Sequence, residues 1–280
     1  MTFSAAFSRV KLCLVLSKIK KLTAMWITEK LIYLQMQKTG SSHIVHLLKN
    51  YIGGKKKGVH NHLKKYNKNK FLVVSVRNPW DWYVSLWRFG CNQKGEIHRR
   101  LTQEAPEVMA KINKNKSEKV AEKWNSVYAN PEEPENFRNW LKLIYNPWRM
   151  KDLRENYHKS SLSAFAGFMT YRYCKFSLKD FQPETVIEDF SALKAYDEKN
   201  NMINGVIKTE SLEEDLINVL QQAGHEIDAT IINQIYASKS QTKNATKRHP
   251  SSFYYDAETI ALVAEKDKFI IEKFSYLPPA

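Results

Sequence analysis

Phe71-Leu-Val-Val-Ser-Val-Arg-Asn-Pro-Trp-Asp-Trp-Tyr-Val-Ser-Leu-Trp87 decides the fold. Its first six residues are almost continuously apolar and β-branched, as in a central parallel strand covered on both faces. Asn78-Pro79 ends the strand, and Trp82, Val84, Ser85, Leu86 and Phe89 then open a helix. The same grammar occurs upstream. Leu31-Ile-Tyr-Leu-Gln35 reads as a buried strand, Gly40 follows, and Ile44, Leu47, Leu48 and Tyr51 recur at helical spacing until Gly53-Gly54. Two strand-to-helix units in series predict an α/β fold, with a central parallel sheet flanked by helices.

Working outward, a further strand is expected at Ile203 to Ile207 and a helix at Leu212 to Leu220, opened by Ser211 with Glu213 and Glu214 at the positive end of its dipole. Phe137, Trp140, Leu141 and Ile144 have helical spacing. Asp256 to Phe274 reads as one closing amphipathic helix capped by Asp256. Residues 1–24 form a basic extension, and residues 25–280 are expected to make one domain. Within the extension, Phe3 to Leu22 mixes apolar residues with Arg9, Lys11, Lys18, Lys20 and Lys21. Its apolar run Leu12 to Leu16 is too short to span a bilayer, and no secretory order of charge, apolar run and small residues is present. A disordered extension, or an amphipathic helix at residues 3–22 touching a membrane surface, are the two readings.

The chain has 280 residues, with Lys+Arg 44 against Asp+Glu 29 and a formal net charge of +15. Such a field draws anionic ligands without naming one. Cys13, Cys91 and Cys174 form no paired motif, so they read as reduced thiols and a cytoplasmic setting is expected.

The loop Gln35-Met-Gln-Lys-Thr-Gly-Ser-Ser-His43 lies between strand and helix, where free N–H groups and a positive dipole end hold phosphate or sulfate. Lys38 adds a charge, Thr39, Ser41 and Ser42 add hydroxyls, and Gly40 permits close approach. The triphosphate loop GxxxxGK[ST] is absent, because lysine here precedes the glycine. Arg77 leaves the carboxyl end of the second strand, where ligands of open α/β sheets bind. Its planar fork suits a phosphate, with Ser85 on the next helix as a second donor. The competing role for Arg77 is an ion pair with Asp81, and Trp80, Trp82 and Trp87 read as packing residues.

Both segments together resemble the PAPS-dependent sulfotransferase superfamily, especially its carbohydrate-sulfotransferase-like branch. Lys38-Thr39-Gly40-Ser41-Ser42 is similar to the loop that holds the 5′-phosphosulfate in that family. Arg77-Asn78-Pro79-Trp80-Asp81 with Ser85 is similar to the motif that holds the 3′-phosphate. Weaker likeness extends over Ile207 to Asp215 and Tyr254 to Tyr276, so the resemblance covers roughly Leu31 to Leu277. Gln37 departs from the pattern, standing where the family often has proline. No likeness is found for residues 96–182.

The resemblance implies a P-loop-like sulfotransferase architecture. It implies 3′-phosphoadenosine 5′-phosphosulfate (PAPS) as co-substrate, no metal, and an acceptor hydroxyl or amine on a glycan or small alcohol. Gln37, Lys38, Thr39, Gly40, Ser41, Ser42, His43, Arg77 and Ser85 would bind the donor, joined by Lys247 and Arg248 from a basic loop. That run, Lys243 to Arg248, reads equally as a solvated linker. Lys38 would also stabilise the leaving phosphate. A base is sought in Gly58-Val-His60-Asn-His62, where the family pattern favours His60 over His62. The pair also has the spacing of metal ligands, but no third ligand is near. Two other classes share parts of this pattern. A P-loop nucleotide kinase would use a similar loop, and a non-enzymatic polyanion binder would use Lys55 to Lys70 and Lys111 to Lys123. Specific nucleic-acid recognition is not expected.

Overall fold

The computed structural model describes residues 25–57, 69–241 and 249–280. It is a mixed α/β fold in which a five-stranded sheet is flanked by helices. The strands are β1 (Met25–Ile27), β2 (Leu31–Leu34), β3 (Lys55–Lys57), β4 (Phe71–Val76) and β5 (Gly205–Lys208), in the order β3-β1-β2-β4-β5. β2, β4 and β5 are parallel, with Leu31 opposite Phe71 and Val73 opposite Gly205. β1 runs antiparallel to β2, and β3 antiparallel to β1. The sheet is therefore mixed rather than wholly parallel. The turn between β1 and β2 is too short for a crossover, so those strands must form a hairpin. β3 is three exposed lysines, a composition that discourages pairing at the open edge.

The continuous apolar character of β4 follows from helices on both faces. Val74 and Val76 point into one core, while Val73 joins Tyr33 and Ile207 in a second core on the opposite face. The first core includes α2 (Pro79–Cys91), α4 (Pro134–Ile144) and α5 (Phe168–Ser177). The second is made with α1 (Ser41–Leu47), α7 (Leu212–Gln222) and α8 (Ala229–Ala237). Two further helices, α3 (Lys114–Ser126) and α6 (Phe190–Asn200), lie between these elements in the chain.

α2 starts at Pro79, three residues ahead of Trp82, where the sequence pattern opened it. Asn78 accepts a hydrogen bond from the Trp80 amide at 3.1 Å and Pro79 occupies the first turn, where its missing N–H costs nothing. Trp80, Trp82 and Trp87 are buried, as expected of packing residues. Phe168, Tyr171 and Tyr173 likewise belong to the core.

The closing helix is two helices, α9 (Ala257–Lys266) and α10 (Lys268–Phe274). Asp256 caps the first, with a full capping box to Thr259. The break falls at Asp267, whose carboxylate is buried and accepts from Tyr83, Tyr145, and both the hydroxyl and amide of Thr170. Four donors converging from α2, α4 and α5 outweigh helix continuity at one residue. Cys91 and Cys174 are free thiols, while Cys13 lies outside the described residues. Among the described residues, no helix is long and apolar enough to cross a membrane.

Candidate functional site

The carboxyl ends of β2, β4 and β5 bring three loops to one rim of the sheet. The first is the turn into α1. Lys38 has φ 64 and Gly40 φ 73, with Thr39 between them outside the positive-φ set. Alternating handedness of this kind turns successive N–H groups toward a common point and makes an anion-binding concavity. The backbone N–H groups of Thr39, Gly40, Ser41 and Ser42 have no hydrogen-bond partner among the described residues. Gly40 also needs its missing side chain: a Cβ there would meet Leu212 Cδ1 at 2.5 Å.

Lys38 is an unusual residue for a left-handed turn, since a side chain makes that conformation cost about 1–2 kcal/mol. Its neighbours hold it. The Trp82 indole N–H donates to the Gln37 carbonyl at 2.7 Å, and Arg77 Nη1 approaches the Lys38 carbonyl at 3.5 Å. The Lys38 ammonium lies 4.0 Å from the centre of the Phe89 ring, one helical turn beyond Ser85 on α2. A cation–π contact this weak, about 0.5–1 kcal/mol at a partly exposed site, is readily exchanged for an anion.

Thr39 is buried, and its hydroxyl donates to the Met36 carbonyl at 2.7 Å. The hydroxyl proton is thus spent inside the loop, while the backbone N–H has no partner among the described residues. Ser75 Oγ lies 2.6 Å from Thr39 Oγ1 and 2.6 Å from the Tyr33 hydroxyl, so a line of hydroxyls ties the loop to β2 and β4. His43 is also engaged within the fold. Its Nε2 is 3.3 Å from both Glu213 Oε1 and Ser238 Oγ, and its backbone N–H is used by the Gly40 carbonyl. These contacts seat α1 on α7 and α8.

The second loop carries Arg77. Nη2 donates to Asp81 Oδ2 at 3.0 Å, so the ion pair weighed as the alternative is present. It does not exhaust the guanidinium. Nη1 reaches across to the first loop, and Nε is buried without an acceptor. A buried guanidinium N–H with no partner is costly, of the order of 1–3 kcal/mol, and the Nε atoms of Arg154 and Arg172 are in the same state among the described residues. Asp81 is itself shared with the Ser251 hydroxyl. Ser85 is half-buried on α2, and its hydroxyl makes no hydrogen bond among the described residues.

The third loop follows β5. The Asn78 amide donates to Glu210 Oε1 at 2.8 Å, and Thr209 Oγ1 donates to the Val76 carbonyl at 2.9 Å. Asp215 accepts from both the Lys208 amide and the Ser211 hydroxyl, fixing the strand-to-helix turn.

His60 and His62 lie outside the described residues, as do Lys247 and Arg248. Among the described residues nearest in sequence, Ser238 contacts His43 and Ser251 contacts Asp81. Among the described residues, no group of three or more His, Cys, Asp or Glu is placed to hold a metal ion. An open polar depression at the opposite, amino-terminal ends of the strands includes Lys30, Lys70, Asn69 and Asn204. Its lysines are already spent, Lys30 on the Gly224 carbonyl and Lys70 on those of Thr28 and Glu29.

Sequence reasoning missed Arg172, whose Nη1 donates to Gln37 Oε1 at 2.8 Å. The available signal was one arginine within the otherwise apolar and hydroxyl-bearing run Phe168 to Cys174. Comparison with family models, with curated proteins and with solved structures finds no match.

Proposed function

We propose that this chain is a P-loop-like sulfotransferase. In this reading it moves a sulfuryl group from PAPS to a hydroxyl or amine of an acceptor, a carbohydrate or small alcohol. The observation that carries the reading is the meeting of the two motif loops: Arg77 Nη1 stands 3.5 Å from the Lys38 carbonyl, at the ligand-binding end of a parallel strand pair.

Around that contact the residues divide naturally. The outward N–H groups of Thr39 to Ser42 and the Lys38 ammonium take the 5′-phosphosulfate end. The Arg77 guanidinium and the Ser85 hydroxyl take the 3′-phosphate. Gln37 shapes the loop, and Lys247 and Arg248 are assigned to the donor by resemblance alone. PAPS supplies a sulfur centre whose bond to the phosphate oxygen breaks as a bond to the acceptor oxygen or nitrogen forms. The electron pair of the broken bond stays on the phosphate oxygen, where Lys38 offsets the charge. The acceptor proton passes to a base, assigned to a histidine because an imidazole suits proton transfer near neutral pH, and to His60 ahead of His62 by the resemblance. The remaining catalysis is orientation.

Binding of 3′-phosphoadenosine 5′-phosphate (PAP), with no preference for ATP and magnesium, is the first expected result. The second is transfer of labelled sulfate from PAPS to a screened acceptor, reduced about a hundredfold or more by Lys38→Ala and by Arg77→Ala with the fold retained. Wild-type rates in both variants would overturn the assignment. A polyanion binder would instead keep its affinity in both and lose it steeply with salt.

A further inference from the structure

Arg172 stands on α5 with its side chain 2% exposed. A guanidinium buried this deeply must be compensated, because leaving even part of its charge unpaired is expensive. Its compensation runs in two directions. Nη2 donates to Glu155, which also accepts from Arg100 Nη1 at 2.7 Å and lies 3.5 Å from the Lys175 ammonium. Nη1 donates to Gln37 Oε1 at 2.8 Å, and the guanidinium rests 4.6 Å from the Phe168 ring centre.

Both ends of this bridge are strained. Arg154, Glu155 and Asn156 have φ values of 63, 58 and 63, three positive-φ residues in succession and none of them glycine. Each costs about 1 kcal/mol or more, and such a run persists only where its surroundings over-determine it. Here Tyr171 donates to the Glu155 carbonyl at 2.5 Å and Arg100 to the Leu153 carbonyl at 3.1 Å. At the other end, Gln37 immediately precedes Lys38 with φ 64, and the Gln37 carbonyl is held by Trp82. One arginine side chain thus joins the left-handed turn at Glu155 to the left-handed turn at Lys38. Gln37 is gripped by its backbone carbonyl from α2 and by its side chain from α5.

We infer that Arg172 is a positioning residue of the anion-binding loop. Glu155 anchors the guanidinium, the guanidinium fixes Gln37, and the fixed Gln37 sets the turn from which Lys38 extends. This rests on the proposed role of Lys38 at the leaving oxygen. Glutamine at position 37 is what makes the clamp available, since a proline there would offer no side-chain acceptor.

The test compares full-length wild type with Arg172→Met, Gln37→Met and the double variant. Three readouts are taken: hydrogen–deuterium exchange of peptides spanning residues 36–43, PAP affinity by calorimetry, and single-turnover transfer of labelled sulfate. Each single variant is expected to raise loop exchange about tenfold. Transfer should fall about tenfold while PAP affinity changes by less than about threefold. The double variant should be no worse than the poorer single, because both remove the same bond. Wild-type loop exchange in both singles, or losses that multiply in the double, would overturn the inference. Gln37→Met keeps the Arg172–Glu155 pair and carries the test should Arg172→Met not fold. A wild-type chain that ignores PAP would sink the sulfuryl reading alone, since loop exchange still decides on the clamp.

Discussion

The hydroxyl line under the loop has a direction, and that direction sets a measurable order of costs. Thr39 donates to a backbone carbonyl, which can only accept, so its single proton is committed to Met36. Ser75 must therefore donate to Thr39, and Tyr33 to Ser75. Tyr33 is fully buried, and burial pushes its phenol above the ordinary range, so it stays a donor at every working pH. Tyr33→Phe removes the head of the line. Ser75 loses one accepted bond and no donor is stranded, for a cost of about 1 kcal/mol. Ser75→Ala breaks the line in the middle. It strands the Tyr33 hydroxyl proton in an apolar core as well as depriving Thr39, for a total of about 2–4 kcal/mol. The double variant has no stranded donor, so it should be no less stable than Ser75→Ala and well short of the summed single costs. Urea unfolding followed by tryptophan fluorescence reads all three. If Tyr33→Phe proved the more damaging single, or if the two costs simply added, the deduced direction would be wrong.

Gly40→Ala should lower stability by about 1–3 kcal/mol in thermal melts, since it combines left-handed strain with displacement of the Leu212 side chain. Restored stability in Gly40→Ala/Leu212→Ala would show that the contact dominates, whereas persistent loss would show that the backbone does. A second prediction concerns acid. Burial alone would raise the Glu155 carboxyl, but Arg172, then Lys175 and Arg100, hold it below the usual carboxylate range. A depressed folded value gives stability that is complete above the unfolded value, about 4.3, and is lost as pH falls toward the folded one. Glu155→Gln should thus cost roughly 3 kcal/mol near neutrality, with the gap to wild type narrowing below about pH 4. A gap independent of pH would refute this account. Finally, Asn78→Ala should cost about 1 kcal/mol by removing the cap of α2, and should loosen PAP binding as well, because Asn78 also ties Arg77's loop to the Leu277 carbonyl.

The parallel strands were legible because each carries its whole signal locally. β4 and α2 are written in one uninterrupted stretch, with apolar run, breaker, cap and aromatic face in order. The antiparallel β1 and β3 were not, since Met25–Ile27 is three residues long and Lys55–Lys57 has no apolar face at all. Their pairing depends on a neighbour's exposed edge rather than on their own composition. The break at Asp267 was hidden for a related reason. Local periodicity continues straight through it, and only three distant hydroxyl groups and a distant amide, from Tyr83, Tyr145 and Thr170, explain why the helix yields there.

At the rim, sequence spacing named the residues but could not apportion their atoms. Lys38, Gly40, Arg77 and Ser85 fall at loop and helix positions expected of them, yet the same motif letters conceal opposite orientations. The Thr39 hydroxyl is spent inward while its N–H is not, and His43 serves the helix interface rather than the rim. Arg77 is engaged by Asp81, and its Nε is enclosed with no partner among the described residues. A site of this kind is therefore better judged by unspent donors than by matching letters. By that measure the proposed site rests on the Ser85 hydroxyl and the N–H groups of Thr39 to Ser42, donors that lie on the two motif segments and have no partner among the described residues.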